Sequence, residues 1–395
     1  MLRRFNRYIL FETFKLFIVA ILAVTTLIVM GWVVERAVAE GIRGPAIIKL
    51  IPYILPMSLQ FSLPTTLLFA VASVYGRMAA DNEVIAVKGS GISPVQIMKP
   101  TFFMALVLSP IGVWLTDLAA SWGAPGMTQV IIHSIKEVSY NALKNQKYYA
   151  QKGFSIIVSD VEDHWLIRPV ITLHSPNGGE PQVITAERAQ LSLDAASNSL
   201  KIELVDYQVD IGTTQLIDGS RREFNLPLER TTRKGKITDT PATIALSRMS
   251  QEVKLERQKL RTIEDSLMSH VSLATAFGRA DMFADATANT GRGKRMESQN
   301  RLRRLQLEPW RRWALGFSCF FFVWMGVPLA IYMKTADYWM TFGACFIPIL
   351  LIYFPLFGLG LEQAKSGEWP AYSVWLGNAV LFFVGLWLIR IVYKS

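Results

Sequence analysis

The sequence predicts an α-helical membrane protein with six transmembrane helices, arranged 3+3 around an inserted β-domain. Three observations carry that prediction. Apolar residues make up 51% of the 395-residue chain and charged residues only 18%, whereas a soluble domain carries about a quarter charged residues. The apolar excess, with a mean hydropathy of +0.28, gathers at the two ends and leaves a polar middle from about Ile132 to Arg312. Within that middle the hydrophobic period switches to the alternation of strands, then to the spacing of a helix.

Taken in order, Arg3, Arg4, Arg7 and Lys15 precede an apolar run from Leu16 to Val34, long enough to cross a bilayer. The basic start places the N-terminus in the cytoplasm. The run lacks an Ala-x-Ala-type cleavage site, so it reads as a retained span rather than a signal peptide. A second run, Leu50 to Tyr75, contains Pro52, Pro56 and Pro64, tolerable in a span only where neighbours or water satisfy the freed carbonyls. Gly76 to Pro94 is a polar interruption that opens with helix formers, carries Arg77, Asp81, Glu83 and Lys88, and closes with Gly89, Gly91 and Pro94. It predicts a short helix at residues 77–90 on the cytoplasmic membrane surface, a handle for a soluble partner. The third run, Pro100 to Leu118, goes out again, with Asp117 and Trp122 at its outer interface.

From Thr128 to about Leu246, short β-branched alternations at Phe154, Val170, Val183 and Leu200 predict strands, separated by turns at Pro176–Gly179 and Asp194–Asn198. Strands at this spacing suggest a sandwich or jelly roll, lying outside the cytoplasm because three spans precede it. Met249, Val253, Leu260, Ile263 and Leu267 then recur at helical spacing. A flexible break is expected at Asp285–Lys294 and a second helix at Glu297–Leu307. Trp313–Met333, Trp339–Leu361 and Ala371–Val392 are the last three spans, returning the C-terminus to the cytoplasm. The domains are therefore residues 1–124 (spans one to three), 125–246 (β-domain), 247–308 (polar helical insertion) and 309–395 (spans four to six).

The chemistry-bearing patterns are mostly exclusions. Gly291-Arg-Gly-Lys294 lacks the spacing and the preceding strand of a phosphate loop, so the chain is not expected to hydrolyse ATP. His133, His164, His174 and His270 are scattered, and Cys319 and Cys345 sit in apolar runs, so no metal site, cofactor or disulfide framework is expected. No G-x-S-x-G elbow and no facing acidic pair in the spans point to an enzyme or a proton pump. The formal charge of +10 fits contact with anionic lipid or phosphate, or an ordinary Lys/Arg collar, and no nucleic-acid partner is expected. Arg301, Arg303, Arg304, Arg311 and Arg312 crowd the outer end of the fourth span, against the positive-inside rule. Together Arg36, Arg43, Arg311 and Arg312 suit a phosphorylated ligand there, or headgroup snorkelling. Glu83 by spacing alone is a surface residue, solvated or functional.

Several stretches nevertheless resemble one family, the LptF/LptG (YjgP/YjgQ) permeases of the lipopolysaccharide export ABC transporter. Asn82-Glu-Val-Ile-Ala-Val-Lys-Gly-Ser-Gly-Ile-Ser93 is similar to the family's cytoplasmic coupling segment, and Val183-Ile-Thr-Ala-Glu-Arg-Ala189 to its jelly-roll strand pattern. Arg311-Arg-Trp-Ala-Leu315 and Gly326-Val-Pro-Leu329 resemble the two ends of its fourth span. The resemblance implies a bacterial inner-membrane protein with both termini cytoplasmic and a periplasmic β-jelly-roll domain. It would pair with a paralogous permease above a cytoplasmic ABC ATPase dimer and pass lipopolysaccharide to LptC/LptA-like jelly-roll proteins. It implies ATPase coupling through Glu83, with Arg77, Lys88, Gly89 and Gly91 around it, and lipid binding by Arg36, Arg43, Arg311 and Arg312. The segment 247–308 is longer than the family pattern. Two other readings fit the residues: a non-transporting membrane scaffold, or a mechanotransmitting ABC membrane subunit.

Overall fold

The computed structural model describes residues 2–40, 45–131, 143, 147–151, 154–162, 165–173, 182–194, 199–211, 214–218, 222–227, 240–276, 286–334 and 337–394. The chain divides into two compact units, one of residues 1–29, 55–123 and 244–395, the other of 30–54 and 124–243. Arg43, the turn at Pro176–Gly179, positions 195–198 of the second turn and position 285 of the expected break lie outside the described residues.

Six helical segments are long and apolar enough to cross a membrane: Arg4–Arg36, Ile47–Ala80, Pro94–Ile131, Gly291–Met333, Trp339–Ser366 and Ala371–Lys394. The chain is a multi-pass membrane protein. In the first half the first two segments fall in α1 (Leu2–Glu40) and α2 (Pro45–Ala80), and the third starts with α4 (Pro94–Leu118) and runs on to Ile131, with the short α3 (Glu83–Gly89) between α2 and α4. After α4 the chain makes a π-helical turn at Ala119–Gly123.

In the second half, α5 (Leu246–Ala276) and α6 (Ala286–Met333) come first. Next, α7 (Tyr338–Pro348), a π-helical turn at Ile349–Tyr353 and α8 (Phe354–Ser366) form one span. A 3₁₀ turn at Ala371–Trp375 and α9 (Leu376–Lys394) form the last. The three expected spans all lie within these elements.

The membrane core of the first unit joins Leu67, Leu68, Val71 and Tyr75 of α2 to Ile97 and Met98 of α4 and Phe322, Val323 and Met325 of α6. Helices in lipid associate by close packing rather than by hydrophobic burial, so small residues mark their contacts. Gly316 of α6 is such a contact, for a Cβ there would lie 2.5 Å from the backbone nitrogen of Val113. Three polar contacts tie the spans together inside the bundle: the Tyr75 hydroxyl donates to the Ile97 carbonyl (3.0 Å), Thr25 and Ser62 share a hydrogen bond (2.8 Å), and Asn378 Nδ2 donates to the Ala314 carbonyl (3.0 Å).

α6 runs unbroken for 48 residues through Pro309 and Pro328. At about 1.5 Å per residue it is about 72 Å long, more than twice the ~30 Å hydrocarbon core, so its N-terminal half stands outside the membrane. That half pairs with α5 as an antiparallel hairpin. Glu256 of α5 accepts from Ser298 (2.7 Å) and meets Arg301 (3.4 Å), while Glu264 meets Arg295 (3.0 Å). The flexible break expected at Asp285–Lys294 is corrected over its described part, because residues 286–294 are helical. Gly291 serves close packing, since a Cβ there would sit 2.7 Å from Leu267 Cδ2 of α5. The expected boundary at residue 308 is likewise absent.

The second unit holds an antiparallel sheet. Among the described residues its strands are β1 (Tyr148–Gln151), β2 (Phe154–Ile157), β3 (Asp160–Glu162), β4 (Trp165–Ile167), β5 (Val170–Leu173), β6 (Gln182–Asp194), β7 (Ser199–Ile211), β8 (Thr214–Asp218) and β9 (Arg222–Pro227). The strands expected at Phe154, Val170, Val183 and Leu200 are β2, β5, β6 and β7. The two long strands pair from Val183↔Asp210 to Asp194↔Ser199. β5 and β4 share the other edge of β6, and β8 and β9 share the other edge of β7.

A kink crosses the sheet halfway. The partner of β6 changes at Arg168–Pro169, where the Arg168 N–H donates to the Glu187 carbonyl (2.9 Å), and Asp206 in β7 has a left-handed φ of 53°. On β6 the buried positions run Ile184, Ala186, then Ala189, and on β7 Leu204, then Tyr207. The two-residue period slips on both strands at the same place, Glu187 opposite Asp206, while the pairing register is the same on either side.

Candidate functional site

Two polar constellations stand at opposite ends of the membrane-spanning part of α6. Arg312 and Met333 are about 30 Å apart along that helix, the thickness of a hydrocarbon core. One constellation surrounds α3, the other surrounds Arg312.

At the α3 end, α2 closes with Asp81 N–H to the Arg77 carbonyl (2.9 Å) and Asn82 N–H to the Ala79 carbonyl (3.3 Å). Asn82 then takes a left-handed φ of 57°, which restarts the chain as α3, and Asn tolerates that conformation better than most residues. The helix expected over 77–90 is thus corrected to the seven residues Glu83–Gly89, because positions 77–80 still belong to α2. Val84 is buried, and Val87 and Ile92 pack against the membrane core. Glu83 and Lys88 are half-buried, and Ile85, Ala86 and Gly89 are exposed. The helix ends with Gly91 N–H donating to the Lys88 carbonyl (2.9 Å) at a φ of 79°, a conformation that favours glycine.

Glu83, Lys88, Gly89 and Gly91 therefore share one small element. Arg77 stands apart on the last turn of α2, its Nη2 3.4 Å from Glu12 Oε1 of α1. A cavity of about 670 Å³ lies where α3 faces the ends of α6 and α9, with Lys88 and Lys334 in its lining. Lys334 was visible in the sequence only as a charge in a short link.

At the other end, Arg312 is fully buried. Its Nη1 bonds Asp117 Oδ1, its Nη2 donates to the Ile244 carbonyl (2.8 Å), and its Nε lies 3.7 Å from Glu308 Oε2. Asp117 Oδ1 also accepts from Leu246 N–H (2.9 Å), occupying one of the amides that the first turn of α5 leaves unpaired. Arg311 binds Glu308 Oε2 through Nε (3.0 Å) and Nη2 (2.7 Å).

The expected open cluster of Arg36, Arg43, Arg311 and Arg312 is therefore not what Arg312 belongs to, because its side chain is enclosed and ion-paired. Arg36 is half-buried near the end of α1, in the second unit.

The positive charge at the Arg312 end of the fourth span has a reason inside the fold. Arg301 meets Glu256, Arg303 donates to the Ser366 carbonyl (2.9 Å), Arg311 meets Glu308 and Arg312 meets Asp117. Asp117 and Glu308, which hold this end together, carried no motif that would have singled them out. Among the described residues no group of three or more His, Cys, Asp or Glu could hold a metal ion.

The comparisons with known proteins agree with this architecture. No curated protein matches the chain significantly. The family model described as lipopolysaccharide export system permease LptF/LptG matches residues 7–391. With nearly the whole chain covered, six membrane-crossing segments and an inserted sheet, the chain belongs to the LptF/LptG family of lipopolysaccharide export permeases.

Proposed function

We propose that the chain is the permease subunit of an ABC exporter that lifts lipopolysaccharide from the bacterial inner membrane, powered by a separate ATPase. The observation that carries this reading is α3, a two-turn helix set between two spans, anchored by Val84 and offering charge outward. Such an element suits a soluble motor that must push on spans it does not enter. Glu83 is the coupling residue, with Lys88, Gly89 and Gly91 shaping the contact and Arg77 fixing α2 to α1.

In this reading both termini and α3 face the cytoplasm, where the ABC ATPase dimer docks. The sheet is a periplasmic domain of the jelly-roll kind, passing lipid to LptC/LptA-like domains, and a paralogous permease completes a central cavity for the lipid, separate from the one beside α3. Arg36, Arg43 and Arg311 meet lipid phosphates, while Arg312 acts from inside the fold.

Glu83→Lys tests the coupling. The expected result is a protein that still inserts but loses about tenfold in ATPase association, the size of effect a reversed charge at a protein contact produces. Unchanged association and unchanged export in that variant refute the assignment. Photo-crosslinking from Arg36 and Arg311 positions tests the lipid contact, and protein adducts without any lipid adduct favour a scaffold instead.

A further inference from the structure

The cavity beside α3 has a composition that coupling alone does not account for. Its volume of about 670 Å³ falls within the ~300–1,000 Å³ of ordinary ligand pockets. Val84, Ile331 and Val392 give it a buried apolar floor, and Ile85 and Tyr332 leave an apolar rim that is open to the outside. Its charged lining is Lys88 and Lys334, and no carboxylate is among the described residues that line it.

Lys334 follows the last turn of α6 with a left-handed φ of 51°. Glycine is the residue that ordinarily closes a helix in that conformation, and a lysine there bears a steric cost. A lysine thus stands at a position whose backbone conformation favours glycine.

The location narrows the ligand. The lining comes from α3 and from the ends of three membrane spans, α2, α6 and α9, so the cavity opens where hydrocarbon gives way to water. Tyrosine at that level is an interfacial anchor, and basic pockets between spans take anionic headgroups.

We propose that this cavity binds one anionic phospholipid of the leaflet on the α3 side. Lys88 and Lys334 hold its phosphate, and the start of its acyl chains lies on Ile85, Tyr332 and Val392. This lipid is a resident rather than cargo, because it joins α3 to the ends of α6 and α9. The proposal does not depend on what the permease exports or in which direction.

Native mass spectrometry of the full-length protein in detergent tests it, with dioleoyl phosphatidylglycerol, dioleoyl phosphatidylcholine and glycerol 3-phosphate as separate probes. The intact protein is expected to retain phosphatidylglycerol over phosphatidylcholine. Lys88→Gln and Lys334→Gly should each lower that retention about fivefold, the scale of one basic side chain at an anionic surface. Lys365→Gln, elsewhere on the surface, should leave it unchanged. Lys334→Gly relieves the left-handed backbone, so its unfolding midpoint should not fall, which separates lost binding from lost structure.

Equal retention of the two phospholipids overturns the proposal, as does retention unaffected by both lysine variants. Glycerol 3-phosphate bound as well as phosphatidylglycerol overturns it in favour of a soluble phosphate. Unchanged lipid retention with loss of a co-purifying ATPase overturns it in favour of a protein contact. None of these readouts involves export, so failure here is distinct from failure of the permease reading.

Discussion

Replacing Arg312 with Met removes the only buried guanidinium seen in the membrane-proximal cluster and keeps most of its volume. In the native structure that side chain is 0% exposed, against 25% for Asp117 and 12% for Glu308. The variant leaves two carboxylates near each other without their shared cation, and takes away one donor to the Ile244 carbonyl. Removing one partner of a buried ion pair costs about 3–5 kcal/mol. The partial exposure of Asp117 lets water compensate its carboxylate, so the lower end, about 3 kcal/mol, is expected. Asp117→Asn keeps an oxygen to accept from Leu246 N–H and should cost about 2 kcal/mol through the weakened charge-assisted bond. Since both substitutions break the same contact, the double variant should fall short of their sum by about 1–2 kcal/mol. Reversible unfolding of the full chain in mixed micelles, titrated with SDS and followed by tryptophan fluorescence, measures all four proteins. Additivity within about 0.5 kcal/mol refutes the reasoning, because Arg312 and Asp117 would then not be acting as a unit.

Gly316→Ala should destabilise the first unit by about 2–3 kcal/mol by overpacking, because its Cβ would meet the Val113 backbone nitrogen at 2.5 Å. Gly112→Ala should cost less, its Cβ meeting the Gly316 carbonyl oxygen at 3.0 Å, and the reverse order in SDS unfolding refutes the packing account. Gly91→Ala forces alanine into a φ of 79°, so hydrogen exchange of the α3 amides should quicken roughly fivefold, the equivalent of about 1 kcal/mol. Gly89→Ala, with open space around it, should not quicken exchange.

Much of this architecture was legible because lipid imposes simple rules. A span must be about 20 apolar residues long, so each of the six announces itself. Strands with one buried face announce themselves by alternation, as Ile184 and Ala186 do. Helix α3 was legible as an interruption, but its start was misplaced because nothing in Met78-Ala-Ala80 says where a continuing helix will stop. Only the left-handed Asn82 decides that.

The second constellation was harder to read. Arg312, Asp117 and Ile244 are far apart in sequence, and an arginine next to a span looks the same whether it meets a headgroup or a buried carboxylate. Gly291 misled for a similar reason, since glycine marks both breaks and close contacts. Its role is set by Leu267 on the neighbouring helix, which no local pattern reveals.

The unbroken course of α6 has a mechanical consequence. A rod that passes through the membrane and continues for about 40 Å beyond Arg312 is a lever, and a tilt of about 5° in its membrane half moves the far tip by about 3 Å. A lever works only if it does not fold at its fulcrum, and Pro309 stands there, where it removes the hydrogen bond owed to the Leu305 carbonyl. Glu308 on one side of Pro309 grips Arg311 and Arg312 on the other, so the ion pairs act as a splint on the turn that follows the missing bond. Loosening the splint would let the spans move while the hairpin stays still.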